Sequence, residues 1–111
     1  MKIEQQRIGT VDVFAPCGPL VDQDGEKFCA TLMQRIKSGN PRVVLNMSEV
    51  AYMDSTALEA LLDVADQFQE RASSLKLAGT TPMCREIFDL TGITPQFRFF
   101  KDVQDAVRSF L

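Results

Sequence analysis

VVLNMSEVAYMDSTALEALL, residues 43–62 of the chain, joins a short apolar run to an amphipathic segment. The apolar run is typical of a strand that is buried on both faces. The amphipathic segment predicts a helix that begins near Ser55 and ends near Arg71. Asp54 and Ser55 then lie at a helix N-terminus, where backbone N–H groups favour anions. A serine in this position suits phosphorylation by a kinase better than catalysis, because the chain contains no histidine to act as its base.

On both sides of this segment, strand patterns alternate with helix patterns. Strands are predicted at residues 3–16 (two strands), 42–47, 75–78 and 96–100. Helices are predicted at residues 24–38, 55–71, 82–90 and 102–111, with Asp24 as the cap of the first and Pro82 in the first turn of the third. This order predicts an α/β fold with a mostly parallel central sheet, an N-terminal antiparallel strand and about four helices.

Each predicted helix has an apolar face that we expect to pack on the sheet. The faces consist of Phe28, Cys29, Leu32, Met33 and Ile36; of Leu58, Leu61, Leu62, Ala65 and Phe68; of Met83, Ile87 and Leu90; and of Val103, Ala106, Val107 and Phe110. The second helix also carries an acidic face, made by Glu59, Asp63, Asp66 and Glu70.

The composition predicts one soluble cytoplasmic domain over residues 1–111. The chain is 45% apolar and 24% charged, with a net charge of −3 and no long basic cluster, so direct nucleic-acid binding is not expected. No apolar run approaches the ~20 residues of a membrane span, and the N-terminus lacks a signal-peptide core. The three cysteines are widely spaced, which favours reduced thiols in the cytosol.

The start of the second helix can be capped in two ways. Residues 56–59 match the capping box, with Thr56 as the cap and Glu59 as its partner. Alternatively, Asp54 caps the helix and Ser55 lies in its first turn. If Thr56 is the cap, Ser55 lies just outside the first turn and we expect its hydroxyl to be exposed.

Catalytic, metal and nucleotide motifs have little support in this sequence. Cys29 and Arg35 have the C-x5-R spacing of cysteine phosphatases, but the residues between them form helix rather than a glycine-rich phosphate loop. The acids at residues 22 and 24 resemble the start of a calcium loop, but Met33 stands where a glutamate should bind. Without histidine or a Cys-x-x-Cys pair, no zinc or iron site is expected. The standard nucleotide loops are also missing, so we expect no cofactor.

Val50, Tyr52 and Met53 are apolar residues directly before the candidate phosphorylation site. Apolar side chains there suit either a partner contact or packing beneath the loop. We predict that Met53, Asp54, Ser55 and Thr56 form a partner-binding surface together with Glu59 and Asp63 on the outer face of the helix.

These segments together resemble the STAS domain family, which is shared by sulfate-transporter tails and bacterial anti-sigma factor antagonists. The resemblance covers nearly the whole chain. It rests on residues 43–62 with their Asp54–Ser55 pair, on LKLAG at residues 75–79, and on REIFDLTG at residues 85–92. This chain has Thr56 and Ala57 where the family usually has Ser-Gly, which makes Thr56 a possible second phosphate acceptor.

The resemblance implies a function in partner switching. In family members of this type, the serine after the aspartate is phosphorylated by a protein that is both serine kinase and anti-sigma factor. The unphosphorylated form binds that kinase, and a sigma factor is released. Phosphorylation abolishes this binding, and a PP2C-type phosphatase restores it by removing the phosphate. By motif position, Ser55 is the implied acceptor and Asp54 the adjacent acid. The chain is then a substrate of a kinase and not itself an enzyme.

Two other functions remain open from the sequence. The first alternative is a STAS subunit of a lipid-transport ABC complex, in which the same helix face packs permanently on the transporter ATPase. The chain is also compatible with a small-ligand or nucleotide sensor that binds an anion at the Ser55 helix terminus. Co-purification with an ATPase, or thermal stabilisation by nucleotide, would distinguish these from a phosphorylation switch.

Overall fold

A five-stranded sheet lies at the centre of the computed structural model, which describes residues 1–37, 39, 42–70 and 75–111. Its strands are β1 (Lys2–Ile8), β2 (Val11–Cys17), β3 (Val43–Asn46), β4 (Leu75–Ala78) and β5 (Phe97–Phe100). They lie side by side in the order β1-β2-β3-β4-β5. Strand β1 is antiparallel to β2, and all the other neighbours are parallel. The predicted mostly parallel α/β sheet with an antiparallel first strand is therefore confirmed.

Four helices connect or follow the strands. They are α1 (Gln23–Lys37), α2 (Ser55–Glu70), α3 (Pro82–Leu90) and α4 (Val103–Arg108), and a 3-10 turn at Thr94–Gln96 precedes β5. The ends predicted near Ser38 and Arg71 lie outside the described residues. Within the described part of the chain, no helix is long and apolar enough to cross a membrane.

The helices cover the two faces of the sheet unequally. Helices α1, α2 and α3 contribute to the larger apolar cluster, which includes the fully buried rings of Phe28, Phe68 and Phe88. The smaller cluster on the other face is centred on α4, with Ala106 packed against Val44. Strands β2 to β4 are thus buried on both sides, as expected for parallel strands.

The first helix begins one residue earlier than predicted. Helix α1 starts at Gln23, so Asp24 lies inside its first turn and the prediction that Asp24 caps it is wrong. Asp22 precedes the helix in a left-handed conformation, with φ of 54°. Asparagine and aspartate tolerate this conformation better than most residues, which lets the chain turn sharply into the helix.

The apolar face of α3 differs from the prediction. The buried residues are Cys84 and Phe88, and the Phe88 ring lies 5.2 Å from Phe97 and 5.4 Å from Phe99. Met83 and Leu90, which we expected to pack on the sheet, are 52% and 79% exposed. The aromatic cluster with β5 fixes the rotation of this helix, and a stripe of apolar side chains is left facing outward.

Lys76 is a buried cation on the central strand β4, at only 5% exposure. Its ammonium donates a hydrogen bond to Ser109 Oγ at 2.6 Å and lies 3.5 Å from the centre of the Phe110 ring. Burial lowers the pKa of Lys76, and the positive charges of Arg98 and Arg42 add to this effect. The folded protein therefore releases this proton at a lower pH than the unfolded chain does.

The lowered pKa of Lys76 predicts how stability depends on pH. Between this pKa and the ordinary value of 10.5, the unfolded chain binds more protons than the folded protein, so the free energy of unfolding should rise with pH. The rise should be missing in Lys76→Met. Urea unfolding of both proteins from pH 8 to 10.5 measures the difference, and equal slopes would show that Lys76 is not desolvated.

Candidate functional site

Ser55 is the first residue of α2 and lies beyond the carboxyl end of β3. Its side chain and that of Thr56 are exposed, whereas Asp54 is half-buried. The carboxyl ends of parallel strands are the usual position for functional groups in open α/β sheets. The hydroxyl predicted as a phosphate acceptor is therefore accessible from solvent.

The Asp54 carboxylate caps α2 and ties it to a second loop. Its Oδ1 accepts a hydrogen bond from the Ala57 N–H at 2.9 Å, and its Oδ2 accepts one from the Asp22 N–H at 2.8 Å. Of the two caps considered from the sequence, Asp54 is thus correct. The capping box is wrong, because Thr56 lies within the first turn of the helix.

The loops before α1 and α2 are joined along their lengths. Leu20 N–H donates to Tyr52 O at 3.0 Å, and Asp54 N–H donates to Leu20 O at 3.2 Å, which forms a short parallel bridge between Leu20 and Met53. Gly18 N–H also donates to Glu49 O at 3.2 Å. The Asp22 N–H also donates a hydrogen bond to the Asp54 carboxylate. These contacts join residues 18–22 to residues 49–54, and we refer to the two joined loops as the platform that carries Ser55.

Met53, which we predicted as part of the partner-binding surface, lies beneath the loop in this structure. The side chain is 2% exposed and belongs to the main core cluster with Leu20 and Val50. Side chains alternate along an extended segment, so the bridge to Leu20 directs Met53 inward and leaves Tyr52 outward. Tyr52 is 48% exposed and is the large hydrophobic residue of this loop that is accessible from solvent.

A shallow apolar groove of about 200 Å³ opens beside Ser55. Its lining is formed by Ser55, Leu58, Glu59, Leu62, Thr91 and Ile93. Leu62 is half-buried rather than packed on the sheet as predicted, and Val64 lies in the core instead. Asp63, one turn beyond Glu59, is also exposed, so both acids predicted for the site lie on the outer side of α2. The groove could not be inferred from α2 alone, because one wall comes from residues after α3.

The cysteines of the core are unsuited to nucleophilic chemistry. Burial raises the pKa of Cys29 to about 12, and the nearby Asp63 carboxylate adds to this effect. Burial likewise raises the pKa of Cys84, whose Sγ lies 3.2 Å from Val50 O. Across the described residues, no group of three His, Cys, Asp or Glu side chains could hold a metal ion. The accessible polar group at this site is the exposed hydroxyl of Ser55.

The two hydrogen bonds of Asp54 predict a pH-dependent contribution to stability. The amides of Ala57 and Asp22 lower the pKa of this carboxyl below its ordinary value of 3.8. The stabilisation that these hydrogen bonds give the folded protein is therefore fully present above the ordinary pKa of 3.8, and it is lost as the pH falls through the lowered pKa. Asp54→Ala should unfold at lower urea than wild type at pH 7, and the difference should shrink toward pH 2.

Asp54→Asn serves as the control for this prediction, because asparagine is also a good cap but offers only one carbonyl oxygen. We expect its urea midpoint at pH 7 to lie between those of wild type and Asp54→Ala. A difference between wild type and Asp54→Ala that did not change with pH would contradict the role of the charged carboxylate.

Comparison with known proteins identifies relatives over the whole fold. The family model described as STAS domain matches residues 2–106. BtrV of Bordetella bronchiseptica, named as an anti-sigma factor antagonist, is 26% identical over 110 residues, which are 99% of this chain and 95% of BtrV.

Two solved structures of SpoIIAA share the architecture. The anti-sigma factor antagonist SpoIIAA in its unphosphorylated form has a TM-score of 0.80 at 18% identity, over 98% of this chain and 96% of that chain. The Bacillus cell fate determinant SpoIIAA in its phosphorylated form has a TM-score of 0.76 at 18% identity, over 99% and 100%. At these identities the likeness establishes the common fold.

Proposed function

The chain belongs to the STAS domain family, and from this premise we propose that it is an anti-sigma factor antagonist controlled by phosphorylation of Ser55. In its unphosphorylated form it binds a cytoplasmic serine kinase that is also an anti-sigma factor, and a sigma factor is released. The observation that carries the proposal is the exposed Ser55 hydroxyl at the start of α2, next to an Asp54 carboxylate that is already engaged as the cap. The protein acts as substrate and docking partner rather than as an enzyme.

Phosphorylation would change the charge of this surface without unfolding it. A phosphate adds about −1.5 to −2 charges, and the N-terminus of α2 offsets part of this by about 0.3–1 kcal/mol. Asp54 opposes it through like-charge repulsion. The hydrogen bonds that hold the platform are made by backbone groups and Asp54, so the fold has no need of the Ser55 hydroxyl.

The first test is mass spectrometry of the protein purified from its native host, with and without treatment by a PP2C-type phosphatase. We expect a fraction of the molecules to carry one phosphate on Ser55 that the phosphatase removes. Chromosomal Ser55→Ala should lose this fraction. A phosphate on Thr56 alone would keep the switch but move its acceptor, and no phosphate under several growth conditions would contradict the proposal.

A further inference from the structure

The apolar groove beside Ser55 is a feature of the candidate site that phosphorylation alone does not explain. Four of its lining residues come from α2, namely Ser55, Leu58, Glu59 and Leu62, and the other wall is Thr91 and Ile93. Leu90, directly before this second wall, is 79% exposed. Exposed apolar groups next to a concave surface are typical of a protein-docking site.

The rim of the groove is acidic on its α2 side. Helix α2 carries four acids and no lysine or arginine. Glu59 lies in the groove lining, and Asp63 is exposed one turn further along the helix. A segment that fits this surface must place apolar side chains in the groove and basic side chains along α2, because complementary charge favours association.

We propose that the groove receives a basic amphipathic helix of the partner kinase, with an apolar anchor side chain between Leu62 and Ile93 and with lysine or arginine facing Glu59 and Asp63. The inference rests on the proposed function and names the docking mode at the same site. Helix-in-groove recognition uses this combination of apolar anchors and flanking charge.

This docking mode gives the phosphorylation switch a physical basis. Ser55 is part of the groove lining, so an anchor side chain in the groove removes water from its side chain. Loss of this hydration costs little free energy for a neutral hydroxyl but a large amount for a phosphate dianion. Repulsion between exposed charges is screened by salt, but a desolvation cost is not. Binding of the phosphorylated protein should therefore stay weak even at about 0.5 M salt.

The test is photo-crosslinking in the native host, with p-benzoylphenylalanine placed in the full chain at position 90, where Leu90 is 79% exposed beside the groove but is not part of its lining. The control is the same residue at position 104, where Gln104 is exposed on α4. We expect position 90, but not position 104, to crosslink to a protein with an ATP-binding serine kinase domain. The crosslinked segment should have apolar residues three or four positions apart and lysine or arginine between them, which is the pattern of a basic amphipathic helix. Ser55→Asp should abolish the crosslink.

Calorimetric titration with the kinase identified in this way measures how much the apolar groove and the acidic side of α2 each contribute to the binding affinity. Leu62→Gln is expected to weaken binding about 30-fold, because Leu62 forms one wall of the site for the apolar anchor of the kinase. The double variant Glu59→Lys and Asp63→Lys is expected to weaken binding about 10-fold. Glu4→Lys, a charge reversal on the exposed part of β1, should change binding less than about twofold. Thermal melts of each variant confirm that it is folded before binding is compared.

The outcomes separate this inference from the proposed function. Binding that is abolished by Ser55→Asp but unchanged in the Leu62 and Glu59/Asp63 variants would overturn the groove and leave the switch standing. Strong binding of the phosphorylated protein at high salt would likewise overturn the desolvation mechanism. If no kinase is captured from any position in a Ser55-dependent manner, both proposals fail.

Discussion

Replacing Ser55 with aspartate is expected to weaken binding of the partner kinase at least ~100-fold, which corresponds to about 2.7 kcal/mol. The substitution places a permanent charge in the lining of the apolar groove, next to the Asp54 carboxylate. Uncompensated charge in a docked interface costs about 2–5 kcal/mol. Ser55→Ala removes only a hydroxyl that is exposed in the free protein, so its affinity should stay within a few-fold of wild type.

Titration calorimetry with the purified kinase measures both variants against wild type, and thermal melts establish that each is folded. Gln104→Asp is the matched control, since it adds the same charge on α4, away from the site. Thr56→Asp moves the charge by one residue and tests whether position 55 is special. If Ser55→Asp bound as tightly as wild type, the charge switch at this site would be wrong.

The fold was predictable because its local signals agree with its long-range packing. Pro82, for example, occupies the first turn of α3 as expected, and Thr81 caps that helix by accepting a hydrogen bond from Cys84 N–H. The position of Ser55 at the start of α2 followed in the same way from the change in hydrophobic period at Asp54. A change of this kind is a local property, which a sequence displays directly.

The details that sequence reasoning missed depend on contacts between distant segments. Met53 is buried because its backbone pairs with Leu20, and nothing in the neighbouring residues reveals that pairing. Thr56 fits a capping box, yet Asp54 is the cap because its second oxygen also reaches Asp22 across the loops. The groove likewise forms only because α2 lies beside Thr91 and Ile93, which follow α3 in the chain. Local sequence patterns are compatible with either position of Met53 and with either cap, and tertiary packing determines which of them forms.

A second large effect is expected at Gly25, where α1 and α2 approach each other closely. A Cβ at Gly25 would lie 2.5 Å from Ala57 Cβ and 3.0 Å from Ala57 Cα. Neither atom belongs to a flexible side chain, so the helices themselves must separate. Overpacking of this kind costs about 1–3 kcal/mol. The gain in helix propensity from glycine to alanine, about 0.5–1 kcal/mol, offsets only part of it.

Gly25→Ala should therefore lower the free energy of unfolding by about 1–2 kcal/mol in a urea titration, whereas an unhindered helical glycine would give an increase. Ala57→Gly removes the opposing methyl group at a cost of about 1 kcal/mol in helix propensity. The double variant should lose less stability than the sum of the two single variants, because the clash is relieved.

Hydrogen exchange tests whether the effect of Gly25→Ala reaches the loops. The Asp54 carboxylate accepts hydrogen bonds from both Ala57 N–H and Asp22 N–H. Separating the helices should therefore speed hydrogen exchange at Asp22 N–H. Stabilisation by Gly25→Ala would show that α1 and α2 accommodate a methyl group at this position without a clash.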